Sequence, residues 1–126
     1  MNALNAYALI VTGNTPQARY YQQALQSAGF QAEIVTTGAR AQVQLAFTTP
    51  DLILLDVNLP DMPGEVIVRQ INAHQRLDTS VLFLISADGF SDISQNRLQT
   101  YNFAQAVDPK ALASLASELC QFGARL

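Results

Sequence analysis

Asp56 is the residue in this chain best placed to do chemistry. It ends an apolar run inside the stretch DLILLDVNLPDMPG, Asp51 to Gly64, and Pro60, Pro63 and Gly64 break the chain soon after it. A short continuous apolar run such as Leu52 to Leu55 reads as a strand buried on both faces, the pattern of parallel sheets. A carboxylate at the end of such a strand lies on the carboxyl edge of the sheet, where open α/β folds place their ligand sites. Burying a bare charge is too costly, so Asp56 must be solvated, paired or bound to a cation. Three other short polar groups also follow apolar segments: Thr12-Gly13-Asn14, Ser86-Ala87 and Asp108-Pro109.

The elements that must position these groups alternate along the chain. Tyr7 to Val11 (YALIV) reads as a short buried strand. Thr15-Pro16 supplies an N-cap with proline at the first helical position. The helix that follows carries Tyr20, Tyr21, Ala24, Leu25 and Ala28, and Gly29 stops it. Gln31 to Val35 is the second strand. Gly38 to Phe47 is the second helix, with Val43 and Leu45 to Phe47 as its inward residues. Leu52 to Leu55 is the third strand, and Gly64 to Gln75 the third helix, apolar at Val66, Ile67, Val68 and Ile71.

Val81 to Ile85 (VLFLI) is a fourth strand that delivers Ser86-Ala87, and a fourth helix is expected over Phe90 to Gln99. Ala104 to Val107 then reads as a fifth strand. The last helix has Leu112, Leu115, Leu119 and Phe122 at three-to-four spacing. Strands alternating with helices predict one parallel sheet covered on both faces. Right-handed crossovers make this a three-layer α/β/α doubly wound fold.

Composition narrows the function classes. At 126 residues the chain is one domain by length, with 49% apolar and 13% charged residues, as expected for a globular core. A net charge of −3 argues against nucleic acid or an anionic membrane as direct partner. Cys120 is the only cysteine, which excludes an internal disulfide and fits a reducing, cytoplasmic compartment. No apolar run approaches membrane-spanning length. There is no dinucleotide fingerprint and no serine–histidine–acid pattern to suggest an enzyme.

With these motifs in order, the chain resembles the receiver domain of two-component response regulators over nearly its full length, residues 1–126. Asp56 matches the family's phospho-acceptor aspartate, and Asn58 the position whose backbone carbonyl ligates Mg²⁺. Pro60 and Gly64 match the loop that follows. Ser86 and Ala87 match the hydroxyl residue that contacts the phosphoryl group and its small neighbour. The resemblance implies a flavodoxin-like (βα)5 fold with strand order 2-1-3-4-5. It also implies signalling by protein contact, with a histidine kinase, an output domain or a second copy meeting the face of helix four, strand five and helix five. On that face stand Asp92, Asn96, Arg97 and Lys110.

The departures from the family pattern concern charge. Thr12-Gly13-Asn14 stands where the family has its acidic Mg²⁺-binding pair, Asp108 where it has a lysine, and Gln105 where it has a switch aromatic. Asp56 and Asn58 alone make an incomplete magnesium site, because Mg²⁺ favours oxygen ligands with carboxylates among them. Two unit charges about 4 Å apart interact by roughly 4 kcal/mol at an effective dielectric of 20. Turning a lysine's attraction into an aspartate's repulsion therefore opposes phosphoryl transfer strongly. The expectation is a degenerate receiver, or pseudo-receiver, needing no cofactor, that works by phosphorylation-independent contact. The alternatives are a conventional receiver switched at Asp56 and a small-ligand-binding flavodoxin-like module. Thr12, Gly13 and Asn14 also fit a plain turn, and Asp108 an N-cap.

Overall fold

Apolar strands that alternate with amphipathic helices have one economical arrangement, and the chain adopts it. The computed structural model describes residues 6–86, 98–104 and 107–125, the last five as backbone only. In chain order the elements are β1 (Ala6–Val11), α1 (Thr15–Ser27), β2 (Phe30–Val35), α2 (Gly38–Phe47), β3 (Leu52–Asp56) and α3 (Gly64–Ala73). A 3₁₀ turn (Gln75–Leu77), β4 (Val81–Ser86), β5 (Gln99–Ala104) and α4 (Pro109–Arg125) complete them. The five strands form one parallel sheet in the order β2-β1-β3-β4-β5.

Alternation along the strands splits the core in two. Ala8, Ile10, Leu52, Leu54, Phe83 and Ile85 face a layer made by α1 and α4, where Ala18, Tyr21, Leu25, Leu112, Ala113 and Ala116 meet them. Leu9, Val11, Ile53, Leu55, Leu82 and Leu84 face the other way, onto Ala41 and Leu45 of α2 and Ile67, Val68 and Ile71 of α3. Burying both faces accounts for the unbroken apolar runs in β3 and β4. Cys120 on α4 closes the first core, its thiol turned to the Asp51 carbonyl at 3.8 Å.

Several boundaries differ from the sequence expectation. The N-cap of α1 is Asn14, whose side chain accepts from the Gln17 amide, so Thr15 is already helical and Pro16 occupies the second helical position. Gly29 takes φ 103°, the left-handed turn past the end of α1. In α2 the buried residues are Gly38, Ala41 and Leu45, whereas Val43 and Phe47 are 59% and 84% exposed. Helix α3 ends at Ala73, and Gln75 opens the 3₁₀ turn.

The fifth strand is Gln99–Ala104, not Ala104–Val107. Tyr101 and Phe103 decide it, because both rings pack on Phe83 of β4, with centroids 5.8 and 4.9 Å away. Gln99, expected at the end of a fourth helix, is thus the first residue of β5. The rest of that expected helix, with Asp92, Asn96 and Arg97, lies outside the described residues, as do Ala87 and Gln105.

Candidate functional site

The end of β3 carries Asp56 onto the face covered by α1, in step with Leu52 and Leu54. Both of its carboxylate oxygens are engaged. Thr12 Oγ1 donates to Oδ2 at 3.0 Å, and the Asn58 amide donates to Oδ1 at 2.9 Å. Thr12 is only 4% exposed and holds its position by donating its own amide to the Val35 carbonyl. Its hydroxyl oxygen also accepts from the Asn14 amide at 3.1 Å, which leaves its single proton for Asp56.

Around this pair a small closed pocket is lined by Val11, Thr12, Gln17, Tyr21, Leu54, Asp56 and Ile85. Tyr21 comes to this pocket from α1. It is 1% exposed, and its phenolic oxygen accepts from Gln17 Nε2 at 3.1 Å. Burial, with the Asp56 charge adding to it, pushes the Tyr21 phenol above its ordinary pKa and keeps it protonated. The signal in the sequence was a tyrosine on an otherwise aliphatic helix face, since a buried phenol needs a polar partner.

The loop after Asp56 is held from both sides. The Gly64 amide donates to the Val57 carbonyl at 2.8 Å, and Asn58 bridges Pro63. A Cβ on Gly64 would lie 2.6 Å from the Val57 Cα, so only glycine allows this closure. Asp61, missed in the sequence, accepts from the amides of Gly38 and Ala39 at 2.8 and 3.0 Å, and so tethers the loop to the start of α2. Those two amides hold the Asp61 carboxyl below its ordinary pKa. A Cβ on Gly13 would lie 3.0 Å from the Pro60 Cδ, so a side chain at that turn would crowd the proline.

The other predicted positions are more scattered. Ser86 is buried at the end of β4, next to Ile85, the register partner of Asp56. Gly13 and Asn14 form the turn into α1. Asp108 caps α4 by accepting from the Ala111 amide at 3.2 Å. It lines a groove of about 490 Å³ with Tyr20, Gln23, Ala24, Ser27, Pro109 and Lys110, and it is not among the residues lining the Asp56 pocket. Among the described residues, no three His, Cys, Asp or Glu side chains cluster in a way that could hold a metal ion. No helix among them is long and apolar enough to cross a membrane.

A doubly wound 2-1-3-4-5 sheet with an acid at the end of its central strand defines the CheY-like class of flavodoxin-like folds. The response regulator receiver domain family matches residues 8–102, and the chain belongs to that family. It is 32% identical over 87 residues to the transcriptional regulatory protein GltR of Pseudomonas aeruginosa, covering 69% of this chain and 36% of that protein. To the regulatory protein LuxO of Vibrio vulnificus it is 37% identical over 67 residues, covering 53% and 15%. The chain thus spans about a third or less of these relatives' length.

Among solved structures, the signal receiver domain of a putative LuxO repressor protein from Vibrio parahaemolyticus superposes with a TM-score of 0.83. It is 23% identical, covers 97% and 95% of the two chains, and supports the fold alone. The signal receiver domain of a signal transduction histidine kinase from Syntrophus aciditrophicus, 26% identical, gives 0.77 over 96% and 94%. The chain is therefore a receiver domain of two-component signal transduction, a signalling module of the kind that meets histidine kinases and output domains.

Proposed function

We propose that residues 1–126 form one degenerate receiver, in which Asp56 is a poor phosphoryl acceptor and signalling proceeds by protein contact. One observation carries this reading. The Thr12 hydroxyl donates to Asp56 at the place where the resemblance puts a metal-binding acid. A phosphoryl group arriving on Asp56 brings negative charge that the site must neutralise. Among the described residues, those lining the pocket offer hydroxyl, amide and apolar groups, and no second carboxylate to gather a cation.

Magnesium fits this set badly. Asp56 has both oxygens engaged, Asn14 spends its side chain on capping α1, and Thr12 contributes a neutral oxygen already in two hydrogen bonds. Ser86, Ala87 and the Asn58 carbonyl keep their places in the motif but lack the charge that makes them useful. Asp108 in the family's lysine position acts here as a helix cap. A histidine kinase, an output domain or a second copy would then read the folded surface rather than a phosphorylated state.

Incubation with Mg²⁺ and acetyl phosphate, followed by intact mass, tests this reading. The expected spectrum shows the unmodified chain; ready gain of one phosphoryl group on Asp56 would overturn it. The conventional reading draws on one feature, the retained Asp56 with Ser86 one residue beyond its register partner. It predicts a clear change in oligomeric state by light scattering on beryllofluoride treatment.

A further inference from the structure

We infer that Tyr21 is a positioning residue of the Asp56 site and the link through which the state of that carboxylate reaches helix α1. The inference rests on Asp56 as the signalling site and adds a route by which that site is read. The family resemblance places the switch aromatic near strand five, whereas the aromatic that shares a pocket with Asp56 in this chain comes from α1.

The geometry is specific. Tyr21 is 1% exposed, lines the same closed pocket as Thr12 and Asp56, and accepts a hydrogen bond from Gln17 at 3.1 Å. That bond uses the phenolic oxygen as acceptor and leaves its proton to be directed elsewhere. The Asp56 carboxylate lines the same pocket, and its charge adds to burial in holding the phenol protonated, so the charge is placed to orient that proton. A donor oriented by a charge in a low-dielectric pocket loses that orientation when the charge is removed or covered.

The Thr12 hydroxyl thus bonds Asp56 directly, while the Tyr21 side chain lines the same pocket. A chain of hydrogen bonds joins them: the Asn14 amide donates to Thr12, the Asn14 side chain accepts from the Gln17 amide, and the Gln17 side chain donates to Tyr21. The residue before Tyr21, Tyr20, is 64% exposed and lines the groove beside Asp108 and Lys110. Consecutive tyrosines therefore connect the buried acid to the outer surface of α1.

The test compares backbone amide NMR spectra of the unsubstituted chain, Asp56→Ala, Tyr21→Phe and the double variant. Removing the acid is expected to move the amide signals of Arg19, Tyr20 and Gln23, and the movement should fall severalfold when Tyr21 is phenylalanine. Equal movement in both backgrounds would make Tyr21 a packing residue and overturn the inference. The Asp56 carboxyl carbon signal adds a readout that packing would not move: Tyr21→Phe is expected to displace it, and an unchanged signal counts against the link. If Tyr21→Phe does not fold, Asp56→Ala alone is read at the ring signals of Tyr21, which must shift. Ready phosphorylation by acetyl phosphate would overturn the degenerate reading and leave this link intact, whereas equal amide movement would do the reverse.

Discussion

At Thr12, where the resemblance puts a metal-binding acid, a hydroxyl group donates to Asp56 Oδ2 instead. Thr12→Val removes the donor to Asp56 Oδ2 while keeping side-chain shape, leaving a partly buried carboxylate short of a partner. Losing a hydrogen bond to a charged group costs about 1.5–3 kcal/mol, and urea unfolding at neutral pH should show a loss of that size. Asp61 gives a pH dependence of known sign. Its folded pKa lies below the ordinary 3.8 because the Gly38 and Ala39 amides bond its charged form. Its contribution is therefore present above that value and disappears as pH falls through the folded pKa. Unfolding midpoints of the native chain and Asp61→Asn should differ at neutral pH and converge in acid. Asp56 was legible because an apolar run ended on it. Asp61 was not, because its partners are backbone amides of a helix 22 and 23 residues away in sequence, which no local pattern announces.

Helix α2 shows where periodicity misleads. Val43 and Phe47 look like core residues by type, yet the helix buries the small Gly38 and Ala41 together with Leu45, spaced three and four apart. Two of the three buried positions are small and two large apolar residues face out, a pattern invisible to a reading that ranks positions by hydrophobicity. Leu45→Ala should therefore cost about 2–5 kcal/mol in chemical denaturation. Phe47→Ser should stay within about 0.5 kcal/mol, as surface substitutions do. The fifth strand was misplaced for a related reason. Ala104 to Val107 is short and mostly apolar, whereas Tyr101 and Phe103 set the register by packing on Phe83. Elsewhere the order of elements was readable, because β3 and β4 are apolar throughout and α1 carries its own cap and stop signals.

Across the whole molecule, two cores share one sheet, and Cys120 reports on the core beneath α1 and α4. Burial, with the Asp51 charge adding to it, pushes its thiol up to about 11. A raised thiol pKa contributes stability that is present below the free value of 9.0 and lost as pH rises toward 11. Labelling by a thiol reagent at neutral pH should be slow in the native chain and fast in denaturant. Rapid native labelling would mean that α4 detaches on its own. The sheet also has two unlike margins. At one, β2 carries Glu33, which accepts from both Tyr7 and Gln44; at the other, the six residues of β5, QTYNFA, include no charge. Charged side chains at a sheet edge discourage another strand from zipping on. When the protein is crowded or partly melted, self-association should begin along the β5 margin, and a lysine introduced there would protect it as Glu33 protects β2.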